Sequence, residues 1–122
     1  MASILSISYD AHLLLTRELL LQQLGHKVVS SEGFAQAYEE CSREDAKFDL
    51  IILGHSIPRK DKEAIIAHCS AACNCPVLAL LRPHQPPIEG ATLSIESDDP
   101  AAFMNGIRKL LLERRRLHPR AY

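Results

Sequence analysis

FDLIILGHSIP spans residues 48–58. Leu50, Ile51, Ile52 and Leu53 stand in a row between an acidic residue and a proline. A strand with one wet face alternates apolar and polar residues. An unbroken apolar run belongs to a strand covered on both faces, as in parallel sheets. In open parallel sheets, chemistry gathers beyond the carboxyl ends of the strands. Here that place is taken by Gly54, which has no side chain. A strand shaped to present a group at the sheet edge presents none.

The flanking sequence repeats the strand–helix alternation. Ser3 to Ser8 reads as a first strand. Asp10 is placed to cap a leucine-rich helix that runs to about Leu24 and closes at Gly25. Lys27 to Ser30 is a second strand. Phe34, Ala37, Tyr38 and Cys41 then recur at helical spacing and form one buried stripe. After the third strand, a helix from Lys60 to about Cys73 buries Ile65, Ile66, Cys69 and Cys73. Pro76 to Leu81 and Ala91 to Glu96 are strands four and five. A last helix starts near Pro100, a good first-turn residue, and buries Phe103, Ile107, Leu110 and Leu111. Strands alternating with helices imply an α/β fold with a parallel sheet.

One connection breaks the pattern. Only RPHQPPIEG separates Leu81 from Ala91, and three of its residues are prolines, Pro83, Pro86 and Pro87. Proline disfavours a helix interior, and a parallel crossover normally needs a dozen or more residues. The fourth crossover is therefore expected to be a loop. The fifth strand, T-L-S-I-E-S, alternates where its neighbours are uniformly apolar. Leu93 and Ile95 should face the last helix, and Thr92 and Ser94 the side where a helix is missing.

The 122 residues suffice for one domain with a real core. Hydrophobic residues make up 47% and charged residues 24%, an ordinary globular balance. The net charge of −1 gives no global field for nucleic acid or membrane. No apolar stretch approaches the roughly 20 residues of a membrane span, and the N-terminus lacks the marks of a signal peptide. These features point to the cytoplasm, where the four cysteines are expected to be reduced.

Five segments, in this order, resemble the receiver domain of two-component response regulators: ILSISYD (4–10), LLLQQLGHKVVSSEGFAQAYEE (19–40), FDLIILGHSIPRKD (48–61), CPVLALL (75–81) and GATLSIES (90–97). The resemblance covers nearly the whole chain. It implies a flavodoxin-like three-layer sandwich with five parallel strands ordered 2-1-3-4-5; the family has a fourth crossover helix, which the RPHQPPIEG segment leaves missing or reduced to a loop. It implies one receiver-like domain over residues 1–117 and a flexible tail at 118–122.

The resemblance also implies an active site that this sequence does not fill. The two magnesium-binding acids fall on Ser8 and Tyr9, with only the neighbouring Asp10 acidic. The phosphoacceptor falls on Gly54, the hydroxyl residue of strand four on Leu81, and the lysine of strand five on Ser97. Magnesium wants an octahedral oxygen cage, and an acyl phosphate needs a carboxylate nucleophile. The expectation is a pseudo-receiver, not an enzyme, with no cofactor. Its partner would be a protein, a second copy included, rather than nucleic acid or membrane. The candidate contact is the fifth strand with its loop: Pro86, Pro87, Ile88, Thr92 and Ser94.

Other signals have plainer readings. Asp10 is better explained as a helix cap than as a metal ligand. Lys60, Asp61 and Lys62 read as a solvated helix start. His55 and Ser56 could join Tyr9 around a small ligand, which is the alternative reading of this edge. An enzyme using His55 or a cysteine lacks a positioned partner. Cys41, Cys69, Cys73 and Cys75 form the one set of candidate metal ligands, but their spacing fits no common zinc site. Buried cysteine packs well as a small hydrophobe.

Overall fold

The computed structural model describes residues 2–44, 47–96 and 98–117. Its elements are β1 (Ser3–Ser8), α1 (Ala11–Gln23), β2 (Lys27–Glu32), α2 (Phe34–Ser42), β3 (Leu50–Leu53), α3 (Arg59–Cys73), β4 (Val77–Leu81), β5 (Leu93–Glu96) and α4 (Pro100–Leu117). The five strands form one sheet in the order β2-β1-β3-β4-β5. Every pairing is parallel, as Ile7↔Leu53 and Leu53↔Ala79 illustrate. Ser97 and the expected tail at 118–122 lie outside the described residues.

The apolar runs are divided between two layers. Ile51 and Leu53 of β3, with Leu5, Ile7, Ala79 and Leu81, pack on Ala37, Cys41, Ile65 and Cys69 of α2 and α3. Leu50 and Ile52, with Ile4, Leu78 and Leu80, pack on Leu21 of α1 and on Phe103, Ile107 and Leu110 of α4. Each face of the sheet thus has its own core, so neither face of β3 or β4 can be polar. Asp10 caps α1, its carboxylate accepting from the His12 and Leu13 amides at 2.9 and 3.3 Å. Gly25 follows α1 at φ +89°, the left-handed turn that ends it.

No helix joins β4 to β5. The loop turns its one aliphatic side chain, Ile88, into the core on the α2–α3 side. The Ile88 amide donates to Ser94 Oγ at 3.1 Å, and the Val77 amide to Thr92 Oγ1 at 2.9 Å. The Arg59 guanidinium donates to the carbonyls of Pro86 and Pro87 at 2.6 and 3.4 Å. Leu93 and Ile95 join the opposite layer with Phe103 and Ile107, so the alternation in β5 reads as expected. Gly106 lets α4 approach, since a Cβ there would stand 3.2 Å from Leu93. Ser94→Ala is expected to cost about 1 kcal/mol by orphaning the Ile88 amide, read as a lower urea midpoint at unchanged slope.

The cysteines depart from expectation. Cys41 of α2 and Cys69 of α3 form a disulfide, with Cα atoms 5.5 Å apart, so they are not reduced thiols. Both lie on the inner stripes of helices that pack side by side, and this Cα separation is the usual one for a bridge. Tyr38 stacks on His68 across the same helix pair, ring centroids 4.1 Å apart.

Candidate functional site

The carboxyl ends of β1, β3 and β4 meet at one edge of the sheet. Ser8 is fully buried there. Its Oγ lies 3.1 Å from Ser56 Oγ and accepts from the Asp10 amide at 3.0 Å. Ser56 Oγ also accepts from the Tyr9 amide at 3.0 Å. The two serines lace β1 to the β3–α3 loop. Asp10 is spent on capping α1. The Tyr9 hydroxyl donates to Asp61 Oδ2 at 2.7 Å, and burial, then that carboxylate, raise the phenol above its ordinary range. Leu81 is buried in the apolar layer.

Gly54 is not facing an empty space. A Cβ built there would lie 2.9 Å from Arg17 Nη1, 3.2 Å from the Ile7 carbonyl and 3.2 Å from Ser8 Oγ. The Arg17 guanidinium, reaching over from α1, has taken the room that a side chain at residue 54 would need. Its Nη1 is buried without a hydrogen-bond partner, and its Nη2 lies 3.5 Å from His55 Nδ1. Burial lowers the Arg17 pKa from its ordinary value, against the pull of Asp10. The His55 pKa is lowered by burial first, then by the charges of Arg17, Arg82 and Lys62.

Lys62 corrects the expectation of a solvated helix start. It is 2% exposed, and its Nζ donates to the Leu80 carbonyl at 2.7 Å. Burial, then the charges of Arg59 and Arg82, bring its pKa down to about 8. Asp61 is also engaged, through Tyr9. Between the β3–α3 loop and the β4–β5 loop lies a cavity of about 190 Å³, lined by His55, Arg59, Lys62, Arg82, Gln85 and Ile88 among others.

The sequence reading gives Arg17 no role and puts Lys62 in solvent, yet each leaves a trace. Lys62 stands at i−3, i−4 and i−7 to Ile65, Ile66 and Cys69, on the buried stripe of α3. Arg17 stands between Leu14 and Leu21, the two buried residues of α1. A charge at helical register with a core stripe is the signal for such groups.

The remaining candidates are dispersed. Pro86, Pro87 and Thr92 are exposed, Ile88 is buried, and Ser94 is half-buried and bonded to the loop. Cys73 and Cys75 are free thiols. Burial raises both pKa values, that of Cys75 to about 12. Among the described residues no group of three His, Cys, Asp or Glu side chains is placed to hold a metal ion. Nor is any helix there long and apolar enough to cross a membrane. On the far side, Leu15 and Leu19 of α1 and Leu112 of α4 are more than half exposed, and Leu112 lines an apolar groove of about 280 Å³.

No protein-family model matches the sequence, and a search of curated proteins gives no match. Solved structures share the fold. A CheY-like response regulator receiver domain protein from Methanospirillum hungatei superposes with a TM-score of 0.81 at 15% identity, over 96% of this chain and 98% of that one. The N-terminal domain of a response regulator/sensory box/GGDEF protein from Carboxydothermus hydrogenoformans gives 0.77 at 18%, over 95% and 99%. The receiver domain of a sensor histidine kinase from Pseudomonas aeruginosa gives 0.74 at 18%, over 90% and 97%. That last structure holds a magnesium ion in its active-site cleft. At these identities the likeness is one of fold: this chain has the fold of response regulator receiver domains.

Proposed function

We propose that this chain is a receiver-like signalling module that works by protein contact and accepts no phosphoryl group. It is not an enzyme on this reading. One observation carries it: the Arg17 guanidinium lies where a side chain at residue 54 would stand. A carboxylate is needed to form an acyl phosphate, and none is present at Gly54. A magnesium ion would meet a fixed cation instead of an oxygen cage. The seryl hydroxyls of Ser8 and Ser56 are tied to each other and to the backbone.

Two surfaces support a protein partner. The exposed Pro86, Pro87 and Thr92 lie beside β5, an edge strand of the sheet. Leu15, Leu19 and Leu112 put apolar surface in solvent on the α1–α4 side. We assign the module to the cytoplasm as part of this reading.

Acetyl phosphate with magnesium is expected to leave the mass of the protein unchanged. Gly54→Asp is expected not to restore labelling, because its carboxylate would enter beside Arg17, with Ser8 and Tyr9 still in place of acids. Hydroxylamine-labile phosphate on the unmodified chain would overturn the reading.

A further inference from the structure

The cavity at the carboxyl edge is lined by four basic side chains, His55, Arg59, Lys62 and Arg82, and by no carboxylate. Its walls come from the β3–α3 loop, the first turn of α3 and the β4–β5 loop. Lys62 is the informative member. An ammonium so deeply buried normally has a carboxylate partner, because an unpaired buried charge is costly. Lys62 has one carbonyl, Leu80 O. The charges felt most by Lys62 are those of Arg59 and Arg82, and they repel it. Arg17, whose Nη2 lies 3.5 Å from His55 Nδ1, has a buried Nη1 with no hydrogen-bond partner. Asp10 and Asp61 are committed elsewhere, Asp10 to the α1 cap and Asp61 to Tyr9.

We propose that this cavity is a binding site for a small phosphate-type oxyanion, held without covalent attachment. The anion supplies the counter-charge that the protein withholds. Lys62 has two N–H groups beyond the one given to Leu80. Arg82 gives only its backbone amide to Gln85, at 2.9 Å, among its described bonds. The first turn of α3, a helix of 15 residues, adds the positive end of its dipole. Several cations around one point suit a dianion with oxygens on all sides better than a planar monoanion such as a carboxylate. Size limits the ligand. The cavity, about 190 Å³, is below the roughly 300–1,000 Å³ of sites for drug-sized molecules. Free phosphate, or the phosphoryl group of a small monoester, fits that limit.

The test is titration of the full chain, uniformly labelled with nitrogen-15, with inorganic phosphate at pH 7 in physiological salt. Amide shifts are expected to centre on His55 to Lys62 and Arg82 to Ile88, and to saturate with a Kd of about 1 mM or tighter. Lys62→Met and, separately, Arg82→Ala are expected to weaken binding at least about tenfold. Arg108→Ala, at the distant groove, should leave it unchanged. Arg82 lies on the exposed loop, so its variant keeps the test valid if Lys62→Met perturbs the fold. Glycerol phosphate run beside inorganic phosphate decides the source, and tighter binding of either one supports the site. Acetate binding as tightly as phosphate, shifts scattered over the whole surface, or Arg108→Ala weakening binding as much as Arg82→Ala would each overturn the proposal. The readout is binding alone, so it fails or succeeds independently of the labelling experiment above.

Discussion

Reducing the Cys41–Cys69 bond is expected to lower the folding free energy by about 3–4 kcal/mol. The bond closes a loop across a sequence separation of 28 residues, and chain entropy assigns a constraint of that order to such a loop. Domains of this size are stable by only about 5–15 kcal/mol, so the loss is a large part of the whole. Urea midpoints measured with and without reductant check it, with Cys41→Ala/Cys69→Ala as the control that no longer responds to reductant. Alkylation after unfolding gives an independent count: two thiols, Cys73 and Cys75, without reductant, and all four cysteines with it. Four alkylated thiols in the untreated protein, or identical midpoints, would dismiss the bond as a structural element. Exchange within the set is expected to be slow. Cys73 lies one turn beyond Cys69, but burial raises its pKa and that of Cys75, and the scarce thiolate is the attacking species. Compartment and stability are coupled through this bond. In a reducing cytosol the same chain would run with the bridge open and the lower stability.

The sheet was legible because burial on both faces leaves an unmistakable mark. LIIL in β3 and VLALL in β4 read as strands covered on both faces, and the alternation of β5 marks the side of the sheet that no helix covers. The missing crossover helix was equally plain, since three prolines in nine residues leave no room for one. The site was half legible. Gly54, Ser8 and Leu81 announce what this edge does not hold. What it does hold depends on long side chains that arrive from other elements. Arg17 reaches residue 54 from α1, and Lys62 reaches β4 from α3. A residue-by-residue alignment of edge positions has no column for such an arrival. The disulfide escaped for a different reason. Helical spacing puts Cys41 and Cys69 on core stripes, but a stripe gives a face and not the depth at which two helices pack. Only when α2 and α3 are docked do the two Cα atoms come within bonding range.

Lys62→Met is expected to make the protein more stable at pH 7, by about 2 kcal/mol. The folded chain holds the Lys62 ammonium at a pKa of about 8, against 10.5 for an ordinary lysine. Such a depression corresponds to about 3 kcal/mol of destabilisation while the group is charged. Methionine fills the same volume without the charge, and the lost hydrogen bond to Leu80 returns about 1 kcal/mol of the gain. The sign with pH follows from proton counting. Below pH 8 both folded and unfolded wild-type chains keep the proton, and the full cost is present. Between pH 8 and 10.5 the folded chain has released it while the unfolded chain still binds it, so wild-type stability rises relative to the variant. The advantage of the variant therefore shrinks across that window and is gone above it, where only packing and the hydrogen bond differ. Paired denaturant titrations at pH 7 and pH 10 measure this directly. A variant that is less stable at pH 7, with a difference flat in pH, would show that the ammonium is well solvated or paired in the folded state. Phosphate adds a second axis. A ligand that binds only the folded chain raises its stability, so phosphate at pH 7 should narrow the gap by stabilising the wild type more than Lys62→Met. A buried lysine that costs stability in the empty protein and repays it only with an anion present is the arrangement expected of a binding residue. A residue kept for the fold would show the opposite: stabilising when empty, and indifferent to phosphate.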